Sequence, residues 1–559
     1  MEQTNLKSET DYFKGMPHGT HYEYFKNGKV SRKGYYFSGK EDSTWTFYYE
    51  DGTIKAIEHY DKGRKVGTNT YYFKSGKLAQ ITKFTTGFLN NTKVEMADST
   101  WTAYHENGQV KSRETFVEGK RQGDWTYYHD NGQMESKGHF ENNKKEGEVK
   151  TFYRSGKPAA IEKYCGGKPC GSWKEFYENG SPKFEKEYKD EVMYLWTMWN
   201  EKGKTVVTGG SGQITAQYDN GIIRATGRYK GGLQDSLWRF FHPNGELDYE
   251  ANYRSGLLNG YYSSYYPNHN IKSEGNFIND KKNGYWKFYT DAGKMEMEGP
   301  LKDGLREGKW MYYYSNGKKE SEGDFLNDKQ SGTWNYYYRT GEKWKQGNYE
   351  VGVRNGVWTT WFENGKKLQE GPYANGKAEG LWQSWWDNGQ MKDEGSFSKD
   401  SLIGAWQGWY QNGKQNYKGE YNKKSKKDGA WEYWYASGQY REKTNYVNGI
   451  KHGNYISYYE KGGFIDSEGK YRKGHQTGTW KYYYEFGALM KEQNFQEGRL
   501  SGKAISYYSN SKIQSICNYA VVSDSRKGKV QSVPDGEWVF FDKNGKEISR
   551  ITYKDGIKQ

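Results

Sequence analysis

The chain has 559 residues with 84 basic and 70 acidic side chains, and its net charge of +14 is too small for its length to keep it unfolded. Its mean hydropathy of −1.18, and the lack of any apolar run near the roughly 20 residues that a membrane span needs, exclude a transmembrane segment. Aromatic residues make up 18% of the chain and all hydrophobic residues only 33%, so any core must be built mainly from Trp, Tyr and Phe.

A single phrase recurs along the whole chain at a usual spacing of 24 residues. One copy runs Gly-Lys-Trp-Met-Tyr-Tyr-Tyr-Ser-Asn-Gly-Lys from Gly308 and returns with Glu-Gly-Asp-Phe from Glu322. We call the position of Trp310 the slot, and the positions three and four residues later slot+3 and slot+4. The slot occurs 22 times and holds Trp in fifteen copies, and slot+3 is aromatic in every copy except at Gln217. The slots are positions 21, 45, 69, 101, 125, 149, 173, 196, 214, 238, 262, 286, 310, 334, 358, 382, 406, 431, 455, 480, 504 and 538.

Each copy is predicted to form a β-hairpin. Aromatic residues favour strands, and both residues of Asn316-Gly317 tolerate the positive φ of a tight primed turn. The return strand from Glu322 leads through a second polar turn into the next hairpin, and no long apolar stripe has a helical period. The sequence therefore predicts an all-β fold, an elongated repeat array of about 22 antiparallel β-hairpins that form one long twisted and coiled sheet.

Three departures from the period divide the array. The slots at 69 and 101 are 32 residues apart around an insertion near 79–100. The slots at 196 and 214 are only 18 residues apart across a glycine-rich stretch, and those at 504 and 538 are 34 residues apart. The predicted divisions are N-terminal repeats at 1–195, an irregular junction at 196–213, the main array at 214–511, an inserted loop at 512–535 and a capping repeat at 536–559.

The phrase Gly-x-Trp-x-x-Tyr-Tyr-x-x-Asn-Gly-Lys, followed by Glu-Gly-x-Tyr/Phe, resembles the MORN-repeat variant of bacterial YwqK-like antitoxins. The resemblance covers nearly the whole chain, and it implies an elongated antiparallel β array that serves as an interaction surface and has no catalytic motif. For an antitoxin it also implies a protein partner that is held inactive, whereas the many repeats look more like a scaffold. Trp-x-x-Tyr-Tyr-x-x-x-Gly also looks like choline-binding repeats, which the period of 24 fits less well.

The aromatic rows are the feature of the sequence with functional content. Because side chains alternate along a strand, slot and slot+3 residues lie on opposite faces. Cross-strand aromatic pairs stabilise a sheet by roughly 0.2–1 kcal/mol each, which accounts for most rings. Between the slots at 358 and 455, Trp replaces the usual Tyr or Phe at slot+3, and we expect an exposed row that binds a partner. The candidate residues are Trp358, Trp361, Trp382, Trp385, Trp386, Trp406, Trp409, Trp431 and Trp434.

The sequence predicts no catalytic, cofactor-binding or metal-binding site. A phosphate-loop spacing that ends at Lys377 is generated by the repeat, and Ala378 stands where Ser or Thr is needed. His105 and His129 occupy equivalent positions two strands apart, about 10 Å from each other and too far to share a zinc ion. Positive and negative charges are interspersed, which makes nucleic acid an unfavoured partner.

Cysteine usage and the N-terminus bear on the cellular compartment. Cys165 and Cys170 flank a Gly-Gly-Lys-Pro turn, where they form either a cross-strand disulfide or two free thiols. The chain starts at Met1 without a basic or apolar stretch, which predicts a cytoplasmic protein if Met1 is native. A disulfide would fit an exported protein, so an extracytoplasmic location stays open.

The leading hypothesis is a non-enzymatic scaffold that binds one or more proteins along the concave face between the slots at 358 and 455. One alternative is an antitoxin-like inhibitor of a toxic protein. Another is a protein that binds the cell wall or another carbohydrate through its aromatic rings.

Overall fold

The structure is a computed structural model that describes residues 7–524 and 529–559, and these residues form β-strands and turns without a helix. The chain divides into two compact units, Met1–His269 and Asn270–Gln559. Met1 and residues 525–528 of the predicted loop lie outside the described residues. The predicted array of antiparallel hairpins is confirmed within each unit.

The first unit contains strands β1 to β26, most of which pair antiparallel with the next strand in the chain. Their bounds are β1 Ser8–Phe13, β2 Met16–Tyr24, β3 Val30–Phe37, β4 Lys40–Tyr48, β5 Ile54–Asp61, β6 Arg64–Lys65, β7 Gly67–Tyr72, β8 Leu78–Leu89, β9 Thr92–Ala97, β10 Ser99–Tyr104, β11 Val110–Val117, β12 Lys120–Arg121, β13 Gly123–Tyr128, β14 Met134–Glu141, β15 Lys144–Phe152, β16 Pro158–Cys165, β17 Lys168–Pro169, β18 Gly171–Phe176, β19 Pro182–Lys189, β20 Val192–Trp199, β21 Thr205–Val207, β22 Gly212–Gln217, β23 Ile223–Lys230, β24 Leu233–Phe241, β25 Leu247–Arg254 and β26 Leu257–Tyr265.

The second unit contains strands β27 to β53 in the same antiparallel order. Their bounds are β27 Ile271–Ile278, β28 Lys281–Tyr289, β29 Met295–Lys302, β30 Leu305–Arg306, β31 Gly308–Tyr313, β32 Lys319–Leu326, β33 Lys329–Tyr337, β34 Lys343–Glu350, β35 Val353–Trp361, β36 Lys367–Ala374, β37 Lys377–Ala378, β38 Gly380–Trp385, β39 Met391–Ser398, β40 Ser401–Trp409, β41 Gln415–Tyr421, β42 Lys427–Trp434, β43 Tyr440–Val447, β44 Ile450–Tyr458, β45 Ile465–Arg472, β46 His475–Tyr483, β47 Leu489–Gln496, β48 Arg499–Tyr507, β49 Ile513–Asp524, β50 Lys529–Pro534, β51 Gly536–Phe541, β52 Glu547–Lys554 and β53 Ile557–Lys558.

The turns lie where the sequence predicts them, but the Asn-Gly turn differs from the prediction in type. At the Asn-Gly turn only Gly317 has positive φ, at +82°, and its N–H donates to the carbonyl of Tyr314 at 2.8 Å. This is a type I turn followed by a left-handed glycine. The primed turn occurs instead between hairpins, where Asn327 and Asp328 have φ of +49° and +64°.

The asparagine of the Asn-Gly turn links one hairpin to the next. The side-chain oxygen of Asn316 accepts the N–H of Lys318 at 3.1 Å, and its amide donates to the carbonyl of Arg339 in the following turn at 2.8 Å. Lys318 Nζ donates to the neighbouring carbonyl of Thr340. The same amide bond is made by Asn27, Asn107, Asn131, Asn220, Asn364, Asn388, Asn412 and Asn510.

The core of a repeat is the slot side chain packed flat against a glycine of the preceding return strand. Trp334 is 2% exposed, and a Cβ atom added to Gly323 would lie only 2.4 Å from its ring. The indole Nε1 donates to the carbonyl of Asp324 at 3.0 Å, and the ring of Phe325 packs edge-on at 5.1 Å. The glycine of the Glu-Gly pair is therefore needed because it has no side chain, and not for a turn.

Several repeats that lack this glycine also lack the tryptophan. Ala504 pairs with Gln493, Tyr455 with Thr444 and Tyr262 with Ala251. Trp173 is an exception, because it keeps the tryptophan although neither neighbouring strand has a glycine opposite it. The following strand carries Lys186 there, and the indole of Trp173 is only partly buried. In these repeats the size or burial of the slot residue follows the space that the neighbouring strand leaves.

The glycine-rich junction interrupts the hydrogen-bonded ladder between β21 and β22, so the strands do not form the single sheet predicted. Aliphatic side chains fill the break instead of an aromatic row. The buried cluster there consists of Leu195, Val207, Ile214, Ala225 and Trp238. The other predicted domain divisions stay predictions.

Both insertions lengthen a strand. β8 pairs with β7 and β10 along its first half and with β9 along its second half. β49 likewise extends past β48 to pair with β50. The described part of 512–535 is therefore a hairpin extension and not the predicted loop, because the added residues continue the ladder hydrogen bonds.

Candidate functional site

On the face opposite the slot, slot+3 tyrosines donate hydrogen bonds to glutamates of the preceding return strand. The hydroxyl of Tyr337 donates to Glu322 at 2.7 Å, and that carboxylate also contacts Lys319 at 2.9 Å and Lys309 at 3.1 Å. Burial alone would raise the pKa of the Glu322 carboxyl, but these donors lower it to about 2. The same bond joins Tyr265 to Glu250, Tyr289 to Glu274, Tyr313 to Glu298 and Tyr483 to Glu468.

We expect Glu322→Gln to lower the free energy of unfolding at pH 7 by about 1–3 kcal/mol, because charge-assisted hydrogen bonds are lost. A depressed pKa stabilises the fold above the ordinary value of 4.5 and ceases to do so as pH falls toward 2. The difference between variant and wild type in urea unfolding should therefore shrink below pH 4.5. Glu296→Gln, at an exposed position, is the control; equal effects of both variants at pH 7 would contradict the assignment.

Four neighbouring repeats carry Trp in place of the slot+3 tyrosine, and we call Trp361, Trp385, Trp409 and Trp434 the tryptophan row. All four are half-buried. Within the described residues their indole N–H groups have no hydrogen-bond acceptor, and they reach solvent. The row therefore presents free donors on the surface, and at Trp385 and Trp409 it also gives up a bond that tyrosine could make to Glu370 or Glu394.

Three rings of this row have a neighbouring side chain against one face. Lys343 Nζ lies 5.3 Å from the ring centre of Trp361, and Lys367 Nζ lies 5.4 Å from that of Trp385. Tyr440 packs against Trp434 at 5.2 Å.

Exposed aliphatic side chains flank the row on the same face. Val357 is 54% and Leu381 is 53% exposed. Each stands four residues before a row member on the same strand, Trp361 or Trp385, so alternation places both on the face of the row. We call Val357, Leu381 and the tryptophan row together the row surface.

The remaining predicted binding residues have structural positions. Trp358, Trp382 and Trp431 are only 3%, 7% and 1% exposed, which corrects the expectation of an exposed slot row. Trp406 is partly buried and, like the other three, donates its indole N–H to a return-strand carbonyl. Trp386 stands at slot+4 and donates to the carbonyl of Trp409 at 2.9 Å, as slot+4 tyrosine hydroxyls do in other repeats.

One exposed tryptophan was not among the predicted residues. Trp344 is 40% exposed, and no other tryptophan of the described residues is exposed to this degree. It lies at a bulge between the register pairs of Tyr336 and Tyr337. The signal in the sequence is that this Trp falls outside the slot, slot+3 and slot+4 positions.

Two of the three cysteines, and the two histidines at equivalent repeat positions, have local partners. Cys165 and Cys170 are joined by a disulfide with 5.9 Å between their Cα atoms. The Nε2 atoms of His105 and His129 lie 2.8 Å and 3.1 Å from backbone carbonyl oxygens. Across 7–524 and 529–559, no three His, Cys, Asp or Glu side chains are grouped so as to hold a metal ion. No helix in the described chain is long and apolar enough to cross a membrane.

The sequence matches the MORN repeat variant family in fifteen segments that together cover more than half of the chain. They are residues 17–37, 41–62, 97–118, 121–142, 145–165, 169–190, 234–255, 258–279, 306–327, 354–375, 378–399, 427–448, 476–497, 500–520 and 534–555. No curated protein matches the chain.

Similar solved structures include a TcdB2-TccC3-Cdc42 complex, which is 11% identical with a TM-score of 0.12, over 97% of this chain and 32% of that one. A Photorhabdus luminescens Tc holotoxin pore is 11% identical with a TM-score of 0.13, over 96% of this chain and 30% of that one. The chain spans about a third of the length of these structures. With TM-scores this low, the likeness supports no conclusion about function.

Proposed function

Since the chain belongs to the MORN repeat variant family, we propose that it is a non-enzymatic scaffold that binds one or more proteins through the row surface. The observation that carries the proposal is the substitution of Trp for Tyr at slot+3 in four neighbouring repeats. Folding of the repeat does not require tryptophan at slot+3. Five tyrosines at this position in other repeats make a hydrogen bond that the four tryptophans do not make.

The chemistry of the row surface favours a protein partner. Partly exposed indoles with free N–H donors, beside Val357 and Leu381, offer apolar area and hydrogen bonds together. Tryptophan is enriched at the residues that dominate protein interfaces for this reason. A sugar ring would need an open ring face, and Lys343, Lys367 and Tyr440 lie against three of these rings. These neighbours leave less open ring face for a sugar than bare rings would, whereas a protein partner can use the indole N–H groups and the flanking aliphatic side chains as well.

The test replaces tryptophan by the usual tyrosine at slot+3 in two repeats of the row. In a Trp385→Tyr, Trp409→Tyr double variant, the new hydroxyls stand fifteen residues after Glu370 and Glu394, the spacing of the Tyr–Glu bonds elsewhere. We expect the variant to fold and to lose captured partners by at least about tenfold, which corresponds to about 1.4 kcal/mol. The measurement is cross-linking of the full chain in its native cells, followed by quantitative mass spectrometry.

Tyr483→Phe is the matched control, because it alters a slot+3 residue outside the row and should leave partner capture unchanged. Equal partner recovery by the double variant and the wild type would exclude the row surface as the binding site. Recovery of a single small toxic protein would narrow the scaffold to an antitoxin-like inhibitor.

A further inference from the structure

Two cationic side chains lie over one buried ring on the slot face, opposite the row surface. Lys345 Nζ lies 4.9 Å and the guanidinium carbon of Arg354 4.7 Å from the centre of Trp358. Their charged groups are therefore within about 10 Å of each other, and both side chains are half-buried. Lys345 and Arg354 stand thirteen and four residues before the slot.

In two other repeats the same two positions carry opposite charges and form an ion pair. Glu442 and Lys451, before the slot at 455, approach to 2.7 Å. Arg32 and Glu41, before the slot at 45, approach to 3.5 Å. The register thus brings these two side-chain ends within ion-pair distance of each other. In the repeat of Trp358, a lysine stands where a carboxylate would complete the pair.

No carboxylate of the described residues neutralises this cation pair. Arg306, the equivalent of Arg354 two repeats earlier, pairs with Asp328 at 2.9 Å, but the residue 22 positions after Arg354 is Gly376. Arg354 donates to the hydroxyl of Tyr373 at 3.3 Å instead. Burial and the nearby guanidinium both lower the pKa of Lys345, which is the condition that a bound anion would relieve.

We infer that Lys345 and Arg354 bind a carboxylate side chain from an acidic segment of a partner protein. The internal partners of the equivalent cations are carboxylates, and the arginine fork suits such a group. The exposed Trp344, whose ring centre is 5.6 Å from Lys345 Nζ, offers apolar contact to the flanking residues of a peptide. The inference rests on the proposed function only in taking a protein as the source of the carboxylate.

The test measures binding of a short fluorescein-labelled oligoglutamate peptide to the full chain by fluorescence anisotropy. Lys345→Glu should weaken binding at least about tenfold, because it supplies the missing carboxylate internally, as Glu442 does for Lys451. Because the natural Glu442–Lys451 pair occupies the same two positions in a folded repeat, Lys345→Glu is also expected to fold. Lys302→Glu, the same charge change at the exposed end of β29, should weaken binding only slightly. Glu442→Lys should create a second site and raise the stoichiometry from one peptide to two.

Equal weakening by Lys345→Glu and Lys302→Glu would overturn the site, as would an unchanged stoichiometry in Glu442→Lys. Equal binding of an oligoglutamine peptide would exclude a carboxylate. Free glutarate or inorganic phosphate that competes as well as the peptide would exclude an acidic protein segment as the ligand. The Trp385→Tyr, Trp409→Tyr variant should keep oligoglutamate binding, so a failure of the row surface and a failure of this site are distinguishable.

Discussion

Replacing Gly347 by valine is expected to destabilise the hairpins around Trp358 by about 3–5 kcal/mol, the range for losing a buried aromatic side chain. A Cβ atom at this position would lie 2.1 Å from the indole ring. Trp358 would have to leave its site and give up its hydrogen bond to the carbonyl of Asn348. Backbone strain is not the reason, since Gly347 lies in β34 without positive φ.

The measurement for Gly347→Val is hydrogen exchange across β34 to β36 in the full chain, together with urea unfolding. Asn348→Val is the control, because the neighbouring residue is exposed and loses only the hydrogen bond it accepts from the Thr333 hydroxyl at 2.7 Å, so stability should change by no more than about 1 kcal/mol. Adding Trp358→Ala to Gly347→Val should restore part of the protection against exchange. The natural pair of Gln493 with Ala504 likewise combines a side chain on the return strand with a small slot residue. Unchanged exchange in Gly347→Val would contradict the packing described for the slot.

Trp358→Ala and Trp361→Ala should have opposite consequences although the two residues are three positions apart. Trp358 is 3% exposed, so its truncation is expected to cost about 3–5 kcal/mol of stability. Trp361 is half-buried on the other face, and its truncation is expected to cost about 1 kcal/mol. Partner capture at a temperature where both variants are folded should fall more for Trp361→Ala.

Thermal unfolding and cross-linking of the same two preparations test this contrast. Similar stability losses for the two variants would show that slot and slot+3 tryptophans have equivalent packing. Partner capture that is retained by Trp361→Ala and lost by Trp358→Ala would place the contact on the slot face.

Much of the fold could be predicted because its determinants are local and repeated. The Trp slot, the Asn-Gly pair and the polar turn each recur at the same spacing, so strand and turn positions follow from the period alone. The predicted type of the Asn-Gly turn was wrong because the prediction used only the φ tolerance of Asn316. Its side chain instead accepts the N–H of Lys318 and reaches the next hairpin, which a single turn considered alone does not reveal.

The candidate site could be predicted only in part. The tryptophan surplus at slot+3 indicated the region, and alternation placed Trp361 and Trp385 opposite the slot. Burial of Trp358 was missed because the prediction assumed that the chain leaves part of both faces of a single sheet uncovered. The glycine that makes the space is eleven residues away, at Gly347, and cross-strand packing gives it that role.

The sequence by itself determined the period, the antiparallel hairpins and the family, because alternation and turn chemistry act over a few residues and repeat along the chain. Only the tertiary structure decided which tryptophans are core and which are surface, since burial depends on what the neighbouring strand carries. It also decided that Lys345 and Arg354 face each other over one ring. Their meeting depends on cross-strand register, which brings together residues that the sequence separates.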